Sequence, residues 1–392
     1  MTERLYYTDA MARAFDAVVT GVDAGGTKVT LDRTAFYPTS GGQPFDTGML
    51  GGARVVDVVD AGDEVEHVLD AAAPFAKGAR VRGDIDWPRR VDHMQQHTGQ
   101  HILSAAFDRA LDVRTVSFHL GETVSTIDLQ REVTPDEIAR AETDANAVVF
   151  ADRPVSIRFA SEEEAARLPL RKEPVRTGRL RLVEIADCDL SACGGTHVPS
   201  AGMVGLIAIT GWERFKGATR VSFACGERAR RSHVRLRDTV AAAMRALSVG
   251  AAEVPAAVDR LLAEHRDAGR AIKRLQEEVA VARADRLRAE AKPTGGAYQR
   301  VLTAVTGWDA AALKTLAAAI VSEPGFVVVL VGDGQPAPVV VARSADVAFD
   351  AGAWLKQATA ELGGRGGGRA ELAQGGIQAT GDAILTFASK TL

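Results

Sequence analysis

Cysteine is scarce: 392 residues hold three, Cys188, Cys193 and Cys225. So few exclude a disulfide-framed fold, and thiols in the company of histidine favour metal binding or catalysis instead. Aromatic residues make up 5% of the chain, too few for the broad stacking platforms on which proteins hold single-stranded nucleic acid. Long apolar runs are also missing. No window approaches a bilayer span, and the opening "MTERLYYTDAMARAF" has acidic and polar residues where a signal peptide needs an apolar core. These absences lead to the expectation of a cytoplasmic protein with no membrane partner. Excess charge of one sign is small as well. A net charge of -4 gives no global attraction to polyanions, so any nucleic-acid surface must be a local basic patch. What is present is ordinary for a folded protein: 46% hydrophobic and 25% charged residues, in a chain long enough for two or three domains.

The hydrophobic pattern predicts an α+β multidomain fold. Residues 1–90 alternate in short apolar runs such as "KVTLDRTAFYP", "ARVVDVVDAG" and "EVEHVLD", bounded by Gly or Asp. They read as a small β-barrel-like domain. Residues 91–225 mix elements: a histidine-bearing helix, the strand pair "TVSFHLGETVSTIDLQ", a helix capped by Thr134 with Pro135 in its first turn, and the hairpin "MVGLIAITGWERFKGATRVSFACG". Residues 226–292 form a helical region. Val254, Val258, Leu261, His265, Ala268, Ile272, Leu275, Val279 and Ala282 recur in steps of four and three, which is a heptad seam and predicts a hairpin arm or coiled coil. The seam can close within one chain or between two, so a homodimer through this arm or the C-terminal domain is one way to bury it. Residues 293–392 alternate helices and apolar strands as a separate α/β unit. They include "GGRGGGRAELAQGGI", read as a Gly-rich loop whose backbone N–H groups and Arg365 and Arg369 present themselves to phosphate.

The chemistry concentrates in two short motifs. "HMQQHTGQHILSAAF" places His97 and His101 four apart on one helical face, with His93 on the same stripe. A lone pair at this spacing is common on helix surfaces. A second dyad, Cys193 and His197 in "CDLSACGGTHVPSAG", changes the reading. Glycines between its members favour a tight loop, and two dyads of good zinc donors from distant parts of the chain make a tetrahedral site. Cys188 and Cys225 read as small buried residues.

Four segments, "FYPTSGGQPFDTG", "MQQHTGQHILS", "CGGTHV" and "KGATRVSFACGERA", occur in the order seen in the editing domain of alanyl-tRNA synthetase and its free-standing relatives, the AlaX proteins. The tail "GGRGGGRAELAQGG" resembles the DHH-associated C-terminal domain of those synthetases, so the likeness covers nearly the whole chain and fits the long form of AlaX. It implies hydrolysis of the ester that joins serine, and sometimes glycine, to alanine tRNA. No segment of these 392 residues resembles the charging domain, so the likeness leads to the expectation of proofreading without aminoacylation. The likeness further implies one Zn2+ per chain on His97, His101, Cys193 and His197, and a glycine-rich substrate motif at Thr39, Ser40, Gly41, Gly42 and Gln43. A hydroxyl of that loop is expected to face the serine side chain, with Gly41 and Gly42 letting backbone approach the ester. Gln96 and Asp128 are candidate orienting groups. Arg228 and Arg231, in the basic start of the helical region, join Arg365 and Arg369 as candidate tRNA contacts.

The metal's role stays open at this level. Zinc either polarises the ester carbonyl or lowers the pKa of an attacking water. Four protein ligands would close its shell, so either one ligand exchanges or the metal shapes the pocket. Two other functions fit the same motifs less fully: a tRNA-binding protein with a purely structural zinc, and a small-molecule zinc esterase. The basic helical region and Gly-Arg tail are of no use to an enzyme of small esters.

Overall fold

The computed structural model describes residues 1–172, 178–293 and 298–392. The chain forms two compact units, Met1–Ala243 and Met244–Leu392.

The first unit begins with a closed six-stranded barrel. Its strands are β1 (Ala14–Val22), β2 (Lys28–Leu31), β3 (Gly48–Leu50), β4 (Ala53–Ala61), β5 (Glu64–Leu69) and β6 (Arg80–Ile85), arranged around the barrel as β1-β2-β5-β4-β3-β6. Alternation does the work. In β5, Val65, His67 and Leu69 face inward, and Val19, Val29, Leu31, Phe36, Leu50, Val55 and Val58 complete the same buried cluster. Closure leaves no free strand edge. Inside it His67 is fully satisfied in its neutral form: Nδ1 lies 3.1 Å from Val29 O and Nε2 2.8 Å from Thr34 Oγ1.

Helix α1 (Trp87–Leu111) follows directly. Asp86 caps it by accepting from Arg89 N, Pro88 occupies its first turn, and Asp112 ends it in the left-handed region. Unlike a surface helix it is buried nearly all round from His93 to Phe107. On one side Arg90 ties it to the barrel end of the unit: Nε donates to Asp46, Nη1 to Ala10 O, and Nη2 to Ala35 O and Asp46. On another side Gly99 lets the helix approach a strand so closely that a Cβ there would lie 2.2 Å from Cys225 Sγ.

That strand belongs to an antiparallel sheet of β7 (Thr115–Leu120), β8 (Ser125–Leu129), β12 (Ile207–Phe215) and β13 (Ala218–Cys225), ordered β12-β13-β8-β7. Helix α2 (Pro135–Phe150) packs against α1, and Ile102, Leu103, Phe107, Ile127, Ile138, Val221 and Phe223 form the common core. A three-stranded antiparallel sheet, β9 (Val155–Ala160), β10 (Leu180–Ile185) and β11 (Asp189–Ala192), delivers the chain to the loop that contains Cys193.

The helical region comprises two helices, α3 (Gly226–Leu247) and α4 (Val254–Ala289), with Ser248 at φ 55° between them. Along α4 the positions Val258, Leu261, Ile272, Leu275 and Val279 are 41–57% exposed among the described residues.

In the second unit, Lys292–Pro293, β14 (Gln299–Val305), β15 (Phe326–Gly332), β16 (Ala337–Arg343), β17 (Gly364–Gly368) and β18 (Leu372–Ile377) form one sheet in the order 292–293, β14, β15, β16, β18, β17. Strand β15, "FVVVLVG", is buried almost throughout because helices cover both faces. Helix α5 (Ala310–Val321) closes one core, and α6 (Ala351–Leu362) and α7 (Gly381–Thr391) the other. The glycine run expected as a loop is instead an edge strand. Gly364–Gly368 pairs antiparallel with Ile377–Ala373, so its inner backbone groups are used in the ladder and Arg365 stands on the free edge. Among the described residues no single helix is long and apolar enough to cross a membrane.

Candidate metal centre

The two dyads meet. From α1 come His97 and His101, and from the loop after β11 come Cys193 and His197; their donor atoms all lie within 4.8 Å of one another, three of the residues buried and Cys193 half-buried. Nε2 of His97 is 3.4 Å and Nε2 of His197 3.3 Å from Cys193 Sγ. The loop reaches the helix because residue 195 is glycine: a Cβ there would lie 2.1 Å from His97 Cε1.

Each imidazole is held from behind at Nδ1, which leaves Nε2 for the centre. His97 Nδ1–H donates to Gln43 Oε1 at 2.8 Å. That amide is oriented independently, since Oε1 also accepts from Thr196 N at 3.1 Å and Nε2 donates to Thr196 Oγ1 at 2.7 Å. His101 Nδ1–H donates to Asp189 at 2.7 Å, and His197 Nδ1 lies 3.0 Å from Thr98 Oγ1. Fixing the tautomer and ring plane through the distal nitrogen is how metal sites are kept in register. Asp189 is itself held by Arg171 Nε at 2.5 Å and Ser191 Oγ at 2.9 Å.

The electrostatics follow from these partners. Burial by itself would push the His101 imidazole down; the Asp189 carboxylate and the Cys193 sulfur outweigh it and hold it up at about 9. His197 has no carboxylate, and burial pushes it down to about 3. Burial opposes ionisation of Cys193, but the His97 and His197 imidazoles beside it bring the thiol well below its ordinary range. A thiolate among three imidazoles is a set that can hold a metal ion.

A cavity of about 560 Å³ opens onto this centre. Ser40, Gly41, Gln100, Phe118, Arg181 and Cys193 are among its walls, and the exposed cations Lys172 and Arg179 also line it. Ser40 and Gly41 are therefore beside the metal centre, whereas Thr39 is exposed and not part of the wall. Gly42 comes so close to Phe118 that a Cβ would lie 2.7 Å from its ring. Tyr37 steadies the turn by donating through its hydroxyl to Ser40 O at 2.9 Å. Gln43 is buried behind His97. Gln96 points elsewhere, exchanging hydrogen bonds with the backbone of Cys225 at 2.8 and 3.1 Å. Asp128 is clamped by Arg220 and Ser117 outside the cavity.

The four arginines named from the sequence fall in different units, Arg228 and Arg231 in the first and Arg365 and Arg369 in the second. Arg228 is committed to Asp92 and to Gly121 O, and Arg231 to Glu227. Arg365 and Arg369 are exposed in the second unit. Sequence reasoning missed Asp189, Thr98 and Arg181. For Asp189 a signal existed: positions 189 and 191 share one face of the strand that leads into Cys193, which keeps the carboxylate on the side of that cysteine. For Thr98 and Arg181 no local pattern marks the role.

Comparison with known proteins finds three family models along the chain. "tRNA synthetases class II (A)" matches residues 6–89, "Threonyl and Alanyl tRNA synthetase second additional domain" residues 180–222, and "DHHA1 domain" residues 298–391. The chain is 32% identical to the alanyl-tRNA editing protein AlaX-L of Pyrococcus horikoshii, over 100% of this chain and 98% of that protein. It is also 34% identical to an alanine-tRNA ligase of Pyrococcus abyssi and 36% identical to one of Natronomonas pharaonis. Each match covers 96% of this chain but 42% of the ligase, so the chain spans about two fifths of the length of those relatives.

Proposed function

The chain belongs to the family of the alanyl-tRNA editing protein AlaX-L, and on that premise we propose that it is a hydrolase that removes wrongly attached serine from alanine tRNA. The observation that carries the reading is the convergence of three imidazoles, each locked at Nδ1, on one half-buried thiolate at the wall of a cavity large enough for an aminoacylated nucleoside. A synthetase pocket built for alanine cannot strongly reject glycine by size, nor an isostere that only adds a hydroxyl. A second site that requires the hydroxyl does what the first cannot.

The donor set fits zinc. Tetrahedral bonds of about 2.3 Å to sulfur and about 2.0–2.1 Å to nitrogen put the two donors roughly 3.5 Å apart, close to the 3.4 and 3.3 Å between Cys193 Sγ and the imidazoles of His97 and His197. Zinc held there supplies Lewis acidity toward an ester. The chain's own residues do the rest. Gln43, Asp189 and Thr98 position the imidazoles. Ser40 is the hydroxyl of the glycine-rich motif that lines the cavity and is the proposed partner of the serine side chain. Gly41 admits the substrate backbone, and Phe118 walls the site against water. Lys172 and Arg179 at the cavity, and Arg365 and Arg369 in the second unit, are the proposed contacts for tRNA phosphates. A second copy is the proposed cover for the exposed seam of α4.

The test is deacylation of serine-charged alanine tRNA by the metal-loaded protein and by its Cys193→Ala variant. Turnover by the first and none by a folded second supports the reading. Equal rates would remove the metal centre from the reaction.

A further inference from the structure

Among the described residues, five buried polar side-chain atoms have no hydrogen-bond partner: His93 Nδ1, Gln100 Oε1, Ser125 Oγ, Arg181 Nη2 and Arg343 Nε. Two of these residues, Gln100 and Arg181, line the cavity at the metal centre. Arg181 is the more telling. It is 8% exposed, its Nε donates to Tyr7 O at 2.9 Å and its Nη1 to Cys193 O at 2.6 Å, and no carboxylate among the described residues pairs with it. A second deeply buried arginine of the unit shows the usual solution, since Arg90 has Asp46 as counter-ion and a partner for every nitrogen. An unpaired donor on a buried cation is costly, and such a cost is kept where a ligand or a developing charge relieves it.

The place of Arg181 selects the ligand atom. Its carbonyl accepts from Cys193 N at 3.0 Å while its guanidinium holds Cys193 O, so the two residues clasp each other and the cation is fixed at the metal end of the cavity. Phosphates of a tRNA end have exposed cations available to them in Lys172 and Arg179. At the metal end the group that needs a donor is the reacting ester.

We propose that Arg181 is a catalytic residue of the hydrolysis described above, donating through Nη2–H to the ester carbonyl oxygen; the inference rests on that reading. Attack of a water oxygen on the carbonyl carbon moves the π pair onto the carbonyl oxygen, and this new negative charge lies against the guanidinium. When the bond from carbon to the ribose oxygen breaks, the pair returns to the carbonyl. The ribose oxygen takes the proton released by the water, so the products are free serine and a ribose hydroxyl. A donor of this kind acts most strongly on the transition state, because the ground-state carbonyl carries only partial charge.

The experiment compares wild type, Arg181→Lys and Arg181→Gln, all loaded with zinc, on serine-charged alanine tRNA. Affinity for 3′-serylamino-3′-deoxyadenosine, a non-hydrolysable amide analogue, is measured in parallel. In Arg181→Gln, kcat falls on the order of 10²–10³-fold, while KM and analogue affinity move less than about threefold and metal content is unchanged; Arg181→Lys recovers part of kcat. A rise in KM with kcat intact overturns the proposal in favour of a phosphate contact. Loss of zinc from both variants overturns it in favour of a purely structural clasp. Variants as fast as an active wild type defeat this inference alone, whereas an inactive wild type defeats the deacylase reading and this inference with it.

Discussion

Replacing Asp189 with Asn tests whether the metal centre is organised from behind. The carboxylate is buried, takes His101 Nδ1–H at 2.7 Å, and is braced by Arg171 at 2.5 Å and Ser191 at 2.9 Å. It lets His101 present Nε2 to the centre and adds negative charge one imidazole away from the ion. Asparagine keeps the shape but loses the charge, and one of its two faces must now oppose either the imidazole N–H or the guanidinium. Loss of such a partner lowers metal affinity by about 10–100-fold, or about 1.4–2.7 kcal/mol. A second cost falls on Arg171. Breaking a buried pair costs about 3–5 kcal/mol, but this side chain is 16% exposed, so water recovers part of that and about 1–3 kcal/mol is expected. The assay is zinc competition against a chromophoric chelator, with urea unfolding of the zinc-free protein alongside to separate the two costs. Unchanged zinc affinity in a folded Asp189→Asn protein would refute the reasoning.

The neighbouring glycines of the ligand loop make a matched pair. Gly195→Ala drives a methyl into the His97 ring, whereas at Gly194 the nearest atom to a new Cβ is Tyr7 Cε1 at 3.9 Å; the first substitution is expected to abolish zinc binding and deacylation and the second to leave both within about threefold, by metal analysis and single-turnover kinetics. His67 gives a pH signature away from the metal. Burial pushes its imidazole down from 6.5 to about 4, so the unfolded chain takes up its proton first as pH falls: the stability contribution is complete above pH 6.5 and is lost as pH drops toward 4. That amounts to about 2 kcal/mol between pH 7.5 and pH 5, and urea titrations of His67→Gln, which cannot titrate, should show a loss smaller by that amount. The exposed seam predicts a concentration-dependent dimer in sedimentation velocity. Leu261→Glu with Leu275→Glu should return it to monomer, and a wild type that stays monomeric at high concentration would leave the seam without its proposed partner.

Much of the architecture was legible because it depends on short-range periodicity. Strict alternation in "EVEHVL" marks a barrel strand, Thr134 and Pro135 mark a helix start, and a four-residue step marks each pair of ligands. The glycine tail was misread for a physical reason. Gly364–Gly368 carries a single side chain, that of Arg365, too little to show a strand pattern, and its structure comes from the ladder it makes with Leu372–Ile377. The contacts that hold the imidazoles were hidden by distance: Gln43 is legible as part of the glycine-rich motif but its bond to His97 spans 54 residues, and Asp189 lies 88 from His101. No local pattern connects residues that only the closed fold brings together. The unpaired nitrogen of Arg181 is harder still to foresee, since it is defined by a contact the folded chain does not make.

The most direct test of the account is the ratio of deacylation rates for serine-charged and alanine-charged forms of the same alanine tRNA, measured under single turnover with zinc-loaded protein. The account predicts rapid release of serine while alanine is retained, with a ratio on the order of 10⁴, the scale at which a site built to bond a hydroxyl rejects a substrate that lacks it. Equal rates, or no release of serine from a folded, zinc-loaded chain, would contradict it.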